Sequence, residues 1–222
     1  MNHFITTDEP SRELAGIEVE GTTRSAFLLR TALVTGGIYG ASAVSPAVRN
    51  AFAQSKDPES NQDQDIIVLN FALVLEYLEA TFYERALKQV SGLSSDTKKL
   101  VEQIQEDEEA HVKALTAAVE QLGGDKAARP KFNFDSALTD EKTFLKTANT
   151  LEDTGVSAYN GAAPMIKTKK ILGAAGSIVQ VEARHAALVR LERDKPPAPQ
   201  AFDVASKQAD VLVAVKPFIV QG

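Results

Sequence analysis

Two helix-length stretches of this chain break their apolar face in the same way. Between Val101 and Leu122, positions three and four apart read Val101, Ile104, Glu108, His111, Leu115, Ala118 and Leu122. Between Ile171 and Val189 they read Ile171, Ala175, Ile178, Glu182, His185 and Val189. Seven residues turn a helix by about 700°, within roughly 20° of its starting direction, so each set lies on one face. An amphipathic helix turns that face to a core. Here the middle of the face is a carboxylate and an imidazole, and burying such groups unpaired is costly. A fold for this chain must bring them partners.

Two further stretches carry matching interruptions. Residues 66–90 hold no glycine or proline and place Leu69, Leu73, Glu76, Ala80, Tyr83 and Leu87 in one row. Residues 140–162 place Leu145, Ala148, Glu152, Gly155 and Tyr159 in another. The chain thus repeats a unit: a glutamate with a tyrosine seven residues on, then Glu-x-x-His. Counted from the turn at Gly92, Glu76 and Glu108 fall at heights within roughly one helical turn of each other. The second hairpin behaves alike. Glu79 also sits in an apolar setting, so the first-helix member of the cluster is Glu76 or Glu79. The tyrosine spacing repeated at Glu152 favours Glu76 and leaves Glu79 in a supporting place. Asp107 and Glu109 lie off the row and read as a solvated acidic face; Asp153 reads as solvated or capping.

The stops fit four long helices. Gly92 ends the first, Ser94 or Ser95 caps the second, Gly123 and Gly124 end it, and Pro164 breaks the third. The fourth spans about 167–193, and residues 203–216 allow one short helix after the proline-rich link. The connection 123–140 is long enough to extend about 60 Å, against about 42 Å for a 28-residue helix. An all-α fold follows: a four-helix bundle, up-down-down-up, with one long crossover and a short C-terminal helix. The domain plan is a leader over 1–53, a polar linker over 54–65, the bundle over 66–193, and a link and tail over 194–222.

Four carboxylates and two imidazoles in one buried layer call for cations. Two divalent ions would neutralise four glutamates, and mixed carboxylate and imidazole donors suit iron or manganese alike. The chain has no cysteine, which excludes thiolate and iron–sulfur sites. Of its three histidines, His3 lies in the leader and the other two both carry the Glu-x-x-His pair. A glutamate from two helices with Glu-x-x-His from two others is the donor set of ferritin-like carboxylate proteins. The chain resembles that superfamily over about residues 63–193. LNFALVLEYLEATFYERAL (69–87) and the tail PFIV (217–220) especially resemble its bacterial and desiccation-related branch.

The resemblance implies metal-ligand roles for Glu76, Glu108, His111, Glu152, Glu182 and His185. It implies that Tyr83 and Tyr159 hold ligand carboxylates across the bundle. Family members include ferroxidases, rubrerythrin-like peroxidases and manganese catalases, so dioxygen or peroxide is the implied substrate. The expectation is a dinuclear oxidoreductase with an oxidative or desiccation stress role. The alternative is a non-catalytic envelope or stress bundle whose metal is structural or absent. A homodimer is the assembly allowed for, and a storage cage is a weaker third reading.

Location and partners rest on other features. The net charge is −6, and no basic patch stands out, which argues against a nucleic-acid partner. TTRSAFLLRTALVTGGIYGASAV (22–44) is a basic start followed by a weakly apolar run, and Ala51-Phe52-Ala53 closes it like a cleavage site. TRSAFLLR resembles a twin-arginine export signal with one arginine replaced by Ser25. The segment predicts export to the periplasm or the exterior, with no membrane span retained after processing.

Overall fold

The computed structural model describes residues 61–220. The leader over 1–53 lies outside the described residues. Five α-helices are present among them: α1 (Asn61–Gln89), α2 (Ser95–Gln121), α3 (Glu141–Ala162), α4 (Lys169–Leu191) and α5 (Gln208–Val215). α1 is buried on nearly every side because it is apolar on nearly every side, with Leu73, Phe82, Tyr83 and Ala86 fully enclosed. It is long and apolar enough to cross a membrane by composition, yet 83% of its most apolar stretch is buried by its neighbours. It is the axle of the bundle.

α1 and α2 form one hairpin, α3 and α4 the other. α2 starts at its own cap, where Ser94 Oγ accepts from Thr97 N at 3.2 Å. Asp140 caps α3 through Thr143 N at 2.9 Å. α4 has no cap of its own, since Thr168 contributes no side-chain bond. The fully buried carboxylate of Asp65 in α1 holds the two amides that lead into it, accepting from Lys167 N at 2.6 Å and Thr168 N at 3.0 Å. Residues 61–65 are therefore helical, where the polar composition of 55–65 suggested a linker up to Ile66. Gln62 also donates to the Leu122 carbonyl at the end of α2. The polar residues at the start of α1 tie down the ends of two other helices.

The crossover between α2 and α3 runs the length of α1. Asn70 near its start bonds Asp125 O and Ala127 N. Midway, the Arg129 guanidinium lies 4.6 Å from the Tyr77 ring centroid. Further up, Arg85 donates to Phe132 O at 3.0 Å, and Phe134 packs edge-on against Phe82. α3 therefore starts beside the end of α1 and descends antiparallel to it, giving the up-down-down-up order. After α4, residues 195–207 strap across α3. Ser206 N donates to Ser157 O at 2.9 Å, and Gly161 admits the strap, because a Cβ there would lie 1.9 Å from Ser206 O. α5 then packs on α3, and Ile219 pairs with Phe132 in a single antiparallel bridge to the crossover.

Candidate metal centre

The four helices bring Glu76, Glu108, His111, Glu152, Glu182 and His185 into one layer. The four glutamates are 0% exposed, and the histidines are buried as well. Each helix delivers its residues because their neighbours one turn away, such as Leu73, Ile104, Ala148 and Ile178, are core residues on the same face. Both rings present Nδ1 to the carboxylates. His111 Nδ1 lies 2.9 Å from Glu182 Oε1 and 3.3 Å from both Glu76 Oε2 and Glu108 Oε2. His185 Nδ1 lies 3.0 Å from Glu108 Oε1 and 3.6 Å from Glu152 Oε2.

Two overlapping sets of four result. Glu76, Glu108, His111 and Glu182 each offer a donor atom within 4.8 Å of the others, and so do Glu108, Glu152, Glu182 and His185. Glu108 and Glu182, the glutamates of the two Glu-x-x-His pairs, belong to both sets. The tyrosines sit behind the layer and cross between hairpins. Tyr83 of α1 donates to Glu152 Oε1 of α3, and Tyr159 of α3 donates to Glu76 Oε1 of α1 at 2.5 Å.

So many carboxyls together are electrostatically uncomfortable. Burial first, and then the neighbouring glutamates, push Glu79, Glu108 and Glu152 well above the ordinary carboxylate range and Glu182 to about 8. At His111 burial opposes the charge, but the hydrogen bond to Glu108 and the close carboxylates of Glu182 and Glu76 outweigh it and push the imidazole up to about 12. Burial, then Glu152 and Glu76 respectively, raises Tyr83 and Tyr159, so both stay protonated donors.

Even so, the layer does not satisfy itself. Glu76 Oε2, Glu108 Oε1, Glu152 Oε2, both Glu182 oxygens and His185 Nδ1 are buried with no hydrogen-bond partner. The close His–Glu approaches at Glu182 Oε1 and His185 Nδ1 lack hydrogen-bond alignment. Buried polar atoms are rarely left this way. Six such atoms converging from four helices, all oxygen or imidazole nitrogen, fit cations held between them.

The pattern of residues placed two neighbours, Asp107 and Asp153, differently, and a third, Glu79, as found. Asp107 does not merely face solvent: its Oδ2 lies 3.2 Å from His185 Nε2, behind the ring. Its place directly before Glu108 turns it about 100° round α2, and only the fold sets α4 on that side. Asp153 is half-buried and paired with Arg190 of α4, while Asn149 beside it bonds Arg193. Glu79 is 3% exposed and stands outside both sets of four, so α1 supplies Glu76 to them. Glu109 is exposed, as its position off the row indicated. A groove of about 520 Å³ lies nearby, between α3, α4 and the strap, and none of the six residues lines it.

An antiparallel bundle with one long crossover, enclosing a carboxylate and histidine layer, defines the ferritin-like class. The model of the ferritin-like domain family matches residues 64–194, and the chain belongs to that family. Among curated proteins, none matches it.

Proposed function

We propose that the buried layer holds two divalent ions, iron or manganese, and that the protein reacts with dioxygen or peroxide. The observation that carries this reading is the set of six partnerless oxygen and nitrogen atoms at the centre. Glu76 and His111 would serve one ion, Glu152 and His185 the other, and Glu108 and Glu182 both. The bound metals would supply electron transfer and Lewis acidity toward an oxygen species. The chain's own residues orient and enclose. Tyr83 and Tyr159 hold Glu152 and Glu76 through their outer oxygens, leaving the inner oxygens free. Asp107 holds the His185 ring with Nδ1 inward. Leu73, Ile104, Leu115 and Ile178 keep bulk water away.

The proposal extends to setting. The signal-like leader supports export, the acidic charge argues against nucleic acid, and the desiccation-like segment 69–87 supports a stress role. Complete enclosure of the four glutamates favours a second reading, in which the ions are structural. Stripping and restoring metal separates the two. The first reading predicts that the stripped protein keeps its helical signal, loses catalase- or ferroxidase-type turnover, and regains it on reloading with iron or manganese. Loss of the fold with the metal, or no turnover in the loaded protein, would speak for the second.

A further inference from the structure

The two hairpins match at the glutamates, histidines and tyrosines of the layer, and they differ at two places that touch it. Glu76 and Tyr83 of α1 answer to Glu152 and Tyr159 of α3, and Glu108 and His111 of α2 answer to Glu182 and His185 of α4. Three residues after Glu76 stands Glu79, but three after Glu152 stands Gly155. Directly before Glu108 stands Asp107, but directly before Glu182 stands Val181.

Both departures favour the same half. Asp107 Oδ2 lies 3.2 Å from His185 Nε2, so this imidazole has a carboxylate behind it. The residue matching Asp107 in the other half is Val181, whose side chain has no acceptor. A carboxylate in that position fixes a ligand ring and raises its donor strength. Glu79 reaches from α1 to the space left by the missing side chain of Gly155. A Cβ there would lie 3.1 and 3.5 Å from the two Glu79 oxygens and 3.6 Å from Glu182 Oε2. Of the Glu182 oxygens, Oε2 is the one that faces His185, at 4.0 Å, while Oε1 faces His111. The fifth carboxylate of the layer therefore lies beside the His185 half. His185 is also the more enclosed ring, with 4% of its side chain exposed against 10% for His111.

We propose that the two cation positions are unequal, and that the one formed by Glu108, Glu152, Glu182 and His185 fills first because Asp107 and Glu79 reinforce it alone. This rests on the two-ion reading above. Asp107 acts as a positioning residue through His185.

Metal-free protein titrated with Mn(II), followed by calorimetry and by loss of the free-ion paramagnetic resonance signal, tests it. Two steps are expected. His185→Ala removes the tighter step, and His111→Ala keeps it. Asp107→Ala loosens the tighter step by about 10–100-fold and leaves the weaker one unchanged. Asp107→Asn, which keeps an acceptor oxygen, recovers part of the loss, and Val181→Asp tightens the weaker step. With 36% of its side chain exposed, Asp107 is replaceable without harm to the core. Glu79→Gln, as a second variant, narrows the gap between the steps. Two indistinguishable steps in the wild type, or an equal effect of Asp107→Ala on both, overturns the inequality. No bound Mn(II) at all overturns instead the two-ion reading beneath it.

Discussion

Tyr83 and Tyr159 show how single side chains set the geometry, since each hairpin orders a glutamate of the other. Removing either hydroxyl leaves a buried carboxyl oxygen without its donor. Tyr83→Phe and Tyr159→Phe should each cost the metal-free protein about 1–3 kcal/mol, read by urea unfolding; unchanged midpoints would contradict the assignment. Protonation gives a second prediction. Glu182 rises from 4.5 to about 8 on folding, and His111 from 6.5 to about 12. Both groups bind protons more tightly folded than unfolded, so their stabilisation is complete at low pH and drains away as pH climbs toward those raised values. Asp140 and Glu141, whose carboxyls are lowered by Thr143 and Thr97, stabilise fully above the ordinary carboxylate range and lose this only below it, so they do not offset the fall. The Tm of metal-free protein should therefore fall between about pH 5 and pH 8; a rise over that interval would contradict the layer's electrostatics. The six central residues were readable in the sequence because each breaks an apolar row. Asp107 was not, since it lies off the row of its own helix and its partner is on another.

Helix ends and crossings carry the next level. Helix spans followed closely from glycine, proline and capping residues, except where the partner of a polar residue is distant in sequence. Asp65 looked like linker because nothing near it needs a carboxylate; its partners are the amides of Lys167 and Thr168. Asp65→Ala should cost about 2 kcal/mol and fray the start of α4, seen as faster amide exchange over 167–172. Equal exchange in variant and wild type would refute the cross-helix anchor. Gly161 is a similar case, since no local pattern reveals that Ser206 lies against it. Gly161→Ala places a Cβ where the strap's carbonyl sits. It should lower the Tm and expose residues 195–207 to limited proteolysis, while α3 itself gains helix propensity. Protection of the strap in that variant would show that the strap does not need this close approach.

At the scale of the whole molecule, the bundle order came from one comparison, the reach of an 18-residue crossover against the length of a helix, and the contacts of Asn70, Tyr77 and Arg85 trace that path. Membership of the ferritin-like family agrees with it over residues 64–194. On the proposed reading, what the bundle does with its centre depends on cations between six orphaned atoms. Glu108 is shared by both sets of donors, so on the proposed two-ion reading its loss is felt at both positions at once. The most direct measurement is the metal content of purified wild type and Glu108→Ala, produced in medium rich in iron and manganese, with helicity checked by circular dichroism. Two ions per chain in the wild type and fewer than one in a variant that stays helical is the predicted result. Fewer than one ion in the wild type, or undiminished metal in the variant, would contradict the account.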